Sequence, residues 1–334
     1  MPATPSGPVS AQPLWTVASG LNQPDDILFR DGSLYIGELG SGKISVVVPG
    51  KPASRLNPTI PKVEGLAFIG ETLYAADQQS DQVHAINGDQ VTTLIQLQPV
   101  AGKDNVDGIT AAGDQLIVPD SPQGVVDWVD RSGRIVKTVG GFVRPTGAWP
   151  LPDGSTLVAD EYGNSAVRLA PDGSRSFLIQ GLPIVDDVAA DADGHVFVVT
   201  PVVSGGRLAE VSGGQAHDLV GKLLEPQGIA FDAAGNVFVS ESAAGRVDLA
   251  IRSFKLVPLG TAHPAAGQPL CVDLVRAPGF SGTVELSSDA GLKVVRQPGA
   301  GSQGEVIVSG CQVAPCRLTA SSGTRSDMLW IAGP

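Results

Sequence analysis

A short signature recurs six times along this chain, each time leading into an apolar run and a tight turn: Pro24-Asp25-Asp26-Ile27, Val63-Glu64-Gly65-Leu66, Val106-Asp107-Gly108-Ile109, Pro145-Thr146-Gly147-Ala148, Val185-Asp186-Asp187-Val188 and Pro226-Gln227-Gly228-Ile229. The second residues stand 39, 43, 39, 40 and 41 positions apart. A period of roughly forty residues that survives small insertions marks a repeat architecture, since one such unit cannot bury its apolar face alone and must stack on its neighbours. The period also places six side chains, four of them acidic, at equivalent positions.

Behind each signature comes a strand, a turn with Gly, a second strand, an acid or Thr, a polar loop and a third strand. In the last copy these are Ile229–Phe231, Ala233-Ala234-Gly235-Asn236, Val237–Ser240, Glu241 and Arg246–Ile251. Turns such as Arg30-Asp31-Gly32-Ser33 and Pro152-Asp153-Gly154-Ser155 supply the positive-φ residue that a hairpin needs. Short β-branched and aromatic runs with no helix-period stretch between them predict propeller blades, and six copies predict six. Leu14-Trp15-Thr16-Val17 precedes the first signature where the outer strand of a previous blade would stand, so it is expected to complete the sixth blade and leave no open edge. The expected fold is all-β, a six-bladed β-propeller followed by a small Ig-like β-sandwich. Its expected divisions are a flexible linker over 1–13, the propeller over 14–252 and the sandwich over 253–334, where seven strand-like runs lack the signature.

Composition bears on partners. Charged residues make up 17% of the chain, yet the net charge is -12, so phosphate backbones and anionic lipid would be repelled. Nucleic acid is not expected as a partner, and no run is long enough for a membrane span. The start, Met1-Pro2-Ala3-Thr4-Pro5, has the look of a trimmed Pro-rich linker, compatible with an export signal already removed and an extracellular or periplasmic location. The three cysteines, Cys271, Cys311 and Cys316, all fall in the C-terminal part, and the spacing of the last two allows a small disulfide loop or an idle thiol pair.

The innermost strand of a blade lines the central channel. Asp25, Glu64, Asp107, Thr146, Asp186 and Gln227 are therefore expected to form a ring of oxygen donors at the channel mouth. Four like charges there would raise one another's pKa unless a cation intervened. An all-oxygen set with no histidine suits Ca²⁺ or another hard divalent cation better than Zn²⁺. Arg144, just before Pro145, and Lys103 are expected on the same rim, where either could hold a substrate carboxylate or hydroxyl.

The segments Pro226-Gln227-Gly228-Ile229-Ala230-Phe231 and Asn236-Val237-Phe238-Val239-Ser240-Glu241 resemble NHL repeats. They are similar also to blades of the senescence-marker-protein/gluconolactonase family and its strictosidine-synthase-like relatives. Gly279-Phe280-Ser281-Gly282-Thr283-Val284-Glu285-Leu286 resembles bacterial Ig-like modules. The first resemblance implies a divalent metal at the mouth, held at the positions of Asp25, Asp107, Thr146 and Asp186. Thr146 departs from the family's Asn, and Glu64 stands where it could compensate. The implied activity is opening of a lactone or related ester, with Asp186 taking the proton from an attacking water and Glu64, Lys103, Arg144 and Gln227 contacting substrate. The competing expectation is a non-catalytic NHL-type propeller that grips a protein, peptide or glycan.

Blander roles compete. An acid before Gly can simply accept backbone N–H groups. Glu38, Asp77, Asp120, Asp160 and Glu241, at the ends of second strands, read as turn caps, Glu161 and Tyr162 as surface residues, and Trp128 and Trp149 as core. The four histidines fall in unrelated places, which argues against histidine-based catalysis or metal binding.

Overall fold

The computed structural model describes residues 14–48, 53–202, 205–259, 269–289, 291–298, 303–308 and 316–331. Among them every regular element is a strand, and no helix is long and apolar enough to cross a membrane. Residues 14–251 form six four-stranded antiparallel sheets. The innermost strands are Pro24–Arg30, Val63–Ile69, Thr110–Ala112, Pro145–Pro150, Asp187–Ala190 and Pro226–Phe231. Each lies against the next, and the last lies against the first, so the sheets close around one axis. Leu14–Ser19 is the outer strand of the sixth sheet, pairing with Arg246–Ala250 from Leu14↔Ala250 to Ser19↔Arg246.

Two local devices hold the inner strands against the axis. In the first, second, fourth and sixth sheets the ladder skips at the signature, from Pro24 to Ile27, Val63 to Leu66, Pro145 to Ala148 and Pro226 to Ile229. Such a bulge takes its residues out of the ladder and re-aims their side chains. The third signature residue is Gly where the next strand comes closest. A Cβ on Gly65 would stand 2.4 Å from the Ile109 nitrogen, and one on Gly228 would stand 2.9 Å from the Asp25 carbonyl oxygen.

In the first and fifth sheets that third residue is Asp26 or Asp187, and a carboxylate makes the link instead. Asp26 accepts the N–H of Leu66 at 2.7 Å, and Asp187 accepts that of Ile229 at 3.0 Å. Between the sheets, apolar clusters such as Ala159, Ile179, Val185, Val198 and Ala209 are removed from water.

Beyond the ring, Phe254–Leu259, Pro269–Arg276, Gln303–Val308 and Leu292–Arg296 form one sheet, and Glu285–Ser288, Cys316–Ser322 and Arg325–Ile331 another. The two share a core that includes Phe254, Val272, Leu286, Leu318 and Leu329. This unit is tied to the sixth sheet: the nearly buried Lys255 ammonium lies 2.6 Å from Asp327 and 3.5 Å from Asp232, and Asn236 donates to the Phe254 carbonyl. Cys316 is disulfide-bonded and Cys271 is free, while Cys311 and the 1–13 segment lie outside the described residues.

Candidate active site at the channel mouth

Where the inner strands begin, a cavity of about 350 Å³ is lined by Asp25, Glu64, Asp107, Asp186 and Gln227, together with Asp104, Arg144, Glu161, Tyr162 and Glu225. The structure thus brings together five of the six ring positions named from the sequence. Thr146 is placed differently. It lines the narrow channel of about 50 Å³ below, and its hydroxyl donates to the Asp186 carbonyl at 2.5 Å, so it links sheets and does not present a free ligand to the mouth. Lys103 also departs from expectation: its ammonium donates to the Pro122 carbonyl at 2.8 Å and does not line the cavity.

Arg144 is the one base among the residues lining this wall. Its Nη2 lies 2.7 Å from Asp107 Oδ2, its Nη1 pairs with Glu161, and its guanidinium carbon sits 5.3 Å from the centre of the Tyr162 ring. Glu161 is therefore a buried member of the site and not the surface residue that its loop position implied.

The local chain explains the juxtaposition. Asp160 Oδ1 accepts the N–H groups of Val143 and Arg144, at 3.0 and 2.8 Å, and the Arg144 carbonyl accepts the N–H of Glu161 at 2.9 Å. Residues 144 and 161 are held side by side at the entry of the fourth inner strand. Comparable clamps recur. Glu38 accepts the Asn22 N–H, Asp77 that of Lys62 and Glu241 that of Leu224. With Asp160, these acids brace the chain entering the first, second, fourth and sixth signatures, a wider task than capping their own turns, whereas Asp120 bonds only to its own turn, at Gln123.

The electrostatics are dominated by crowding. Burial, followed by the charges of Asp107 and Asp187, pushes the Asp25 carboxyl well above its ordinary range. Glu64 is raised by burial and then by Asp107, Asp25 and Asp186; Asp186 by burial and then by Asp107, Asp25 and Glu161. Burial raises Asp107 too, although Arg144 pulls it back. Asp187, in the channel, is pushed up to about 7, chiefly by burial. Two polar atoms in the cavity wall are buried with no partner, Glu64 Oε2 and Arg144 Nε. One guanidinium does not balance seven carboxylates.

At the other end of the inner strands, Asp191, Asp193 and His195 bring three possible metal-ligating atoms within 4.8 Å of one another. Both acids already face arginines, Asp191 with Arg252 at 2.6 Å and Asp193 with Arg325, so these charges are matched within the protein. The described histidines, His84, His195 and His217, line no part of the mouth. Trp149, expected in the core, is partly buried there but also lines the channel.

Asp26 and Asp187 in the channel, and Asp104, Glu161, Tyr162 and Glu225 on the mouth wall, were not assigned to the site from the sequence. For the first two a signal existed, because Asp replaces Gly at the third signature position in just two of six copies.

No protein family and no curated protein matches the sequence. Solved structures do resemble it. A gluconolactonase from Xanthomonas campestris superposes with a TM-score of 0.60 at 16% identity, over 75% of this chain and 98% of its own. The calcium-binding protein regucalcin from Agrobacterium tumefaciens gives 0.60 at 13%, over 73% and 95%. A streptogramin B lyase gives 0.56 at 14%, over 73% and 99%. At such identities the likeness defines the fold class: this chain is a β-propeller. The particular relationship within that class is a matter of the mouth chemistry.

Proposed function

We propose that the chain is a six-bladed propeller hydrolase with an appended Ig-like module, acting outside the cytoplasm on a lactone or related ester with a divalent cation, Ca²⁺ in the first instance, at the channel mouth. The observation that carries this reading is the unpartnered, buried Glu64 Oε2 among the crowded carboxylates of Asp25, Asp107 and Asp186. These donors fit a hard cation, which accepts six to eight oxygens in loose geometry. Asp25, Glu64, Asp107 and Asp186 would hold the ion, with Thr146 no longer among them. When bound, it would supply Lewis-acid polarisation of a carbonyl.

The chain's own residues do the rest. Asp186 is the ring acid placed to take a proton from water beside the mouth, and burial sustains its proton affinity where a bound cation offsets the charges of its neighbours. Gln227 lines both mouth and channel and offers a neutral amide to a ring oxygen or hydroxyl. The channel of about 50 Å³ is too narrow to hold a substrate, which would therefore be bound at the mouth. Export is supported by the disulfide at Cys316, a bond that persists in oxidising compartments.

The gluconolactonase and the calcium-binding propeller among the similar structures support the reading at the level of fold. The test is a calcium titration of chelated protein followed by melting, together with a lactone panel. At about 100 times its Kd the ion adds about 2.7 kcal/mol, or roughly 5–10 °C. An unmoved melting temperature and no lactone turnover with added calcium sink the proposal.

A second reading, a non-catalytic propeller that grips a protein, peptide or glycan, has one observation in its favour. The Arg144 ion pairs place a cation in the ring without any metal. Unchanged melting on chelation would turn the choice toward it.

A further inference from the structure

We propose that Arg144 is the built-in counter-cation of the acid ring and competes with a divalent ion for Asp107, retreating onto Glu161 and Tyr162 when the ion enters. The inference rests on the mouth being the metal site, and it concerns what this chain does with that site.

The backbone of Arg144 is pinned on both sides, by the bond from its N–H to Asp160 and by the bond that its carbonyl accepts from Glu161. Only the side chain can move. Its present seat is incomplete: Nη2 and Nη1 are engaged by Asp107 and Glu161, while Nε is buried with no acceptor. The same cavity holds the complementary defect, Glu64 Oε2, an acceptor in a residue 5% exposed that has no donor.

One guanidinium nitrogen and one Glu64 oxygen thus remain unsatisfied within one cavity, although Glu64 also shares a hydrogen bond with Asp107, because a rigid planar fork spanning Asp107 and Glu161 does not also serve Glu64. A spherical cation has no such directional limit. Seated among the ring carboxylates it would satisfy Glu64 and draw on Asp107, whose two oxygens are the contested ground. Arg144 has a place to go. Glu161 keeps its Nη1, and the ring of Tyr162, 57% exposed, offers a π face already 5.3 Å from the guanidinium carbon.

The experiment is calorimetric titration of calcium chloride into chelator-treated full-length protein, wild type against Arg144→Met, with melting curves alongside. The expected result is at least tenfold tighter calcium binding by Arg144→Met, a lower melting temperature than wild type in chelator, and a larger gain on adding calcium. Equal or weaker binding by the variant overturns the proposal.

The two readings fail separately. If only the variant binds calcium, the counter-cation role stands and the metal-hydrolase reading of the wild type falls. If both bind equally, the reverse holds; if neither binds, both fall. Should Arg144→Met not fold, Arg144→Gln, which keeps a donor for Asp107, is judged by the same criteria. Where the wild type takes up calcium, its crystal structure with the ion tests the exchange independently. Arg144 more than 4 Å from Asp107 supports the exchange, and an intact 2.7 Å pair refutes it.

Discussion

The two ends of the inner strands use the same side chain in opposite ways. At the base, Asp191 Oδ1 accepts the N–H groups of Asp193 and His195, and Asp232 Oδ1 those of Ala234 and Asn236, while their second oxygens meet Arg252 and Asn236. Against burial, hydrogen bonds from Arg252 and His195 hold Asp191 below the ordinary carboxylate range. At the mouth, Glu64 and Asp186 face other carboxylates and are driven the other way. Asp232 is raised by burial but pulled back by Lys255, so an acid in a repeat becomes structural when turn amides and a basic side chain saturate it. It becomes available for chemistry when the repeat aims it at its own kind.

That contrast can be broken most forcefully at Asp186. Replacing it with Asn should lower lactone turnover by about 10²- to 10⁴-fold, the usual contribution of a proton-transfer group, yet leave melting in chelator unchanged or higher because one crowded charge is gone. Loss of fold without selective loss of turnover would place Asp186 with the base acids.

Next in size is Asp160→Ala. It strands the N–H groups of Val143 and Arg144, at a cost of about 2–4 kcal/mol, seen as a fall in melting temperature of roughly 5–15 °C. A neutral outcome would mean that the clamp is dispensable.

Asp191→Asn should cost about 1–3 kcal/mol by unpairing Arg252, with turnover intact. Reduced turnover would erase the distinction between the two ends.

Stability should also trend with pH. Asp187 and Asp120 are both raised to about 7 in the folded protein, against about 3.9 for a free carboxyl. The folded state therefore binds protons more tightly than the unfolded chain in between. This contribution is fully present below the unfolded value and is lost as pH rises through about 7. Chelated protein should melt higher at pH 5.5 than at pH 8. Calcium should flatten the part owed to the mouth acids Asp25, Glu64 and Asp186, which burial and crowding also raise, and leave the part owed to Asp120. Melting that rises steadily toward pH 8 in chelator would contradict the crowding.

Much of the scaffold was legible because a repeat turns sequence spacing into spatial equivalence. Once Asp25, Glu64, Asp107 and Asp186 occupied the same place in four units, closure alone could bring them together. Side-chain direction in the loops was not legible. Nothing in the spacing distinguishes Arg144, which turns inward to Asp107, from Lys103, which turns to a carbonyl. Glu161 looked like a loop residue because its burial comes from Asp160 drawing in the neighbouring strand entry, a contact 16 residues away in sequence. Thr146 kept its ring position but used its hydroxyl on a backbone carbonyl, a choice made by the neighbouring sheet.

Leu14–Ser19 has a consequence for how the molecule comes apart. This early strand is stitched into the last sheet of the wheel, and that same sheet carries the Lys255 and Asn236 ties to the C-terminal unit. A protease cut just after Ser19 would turn the circle into an arc and bare the Arg246–Ala250 edge. The matching strand of a second copy could then seal it, so trimming at this point is a route from monomer to exchanged dimer.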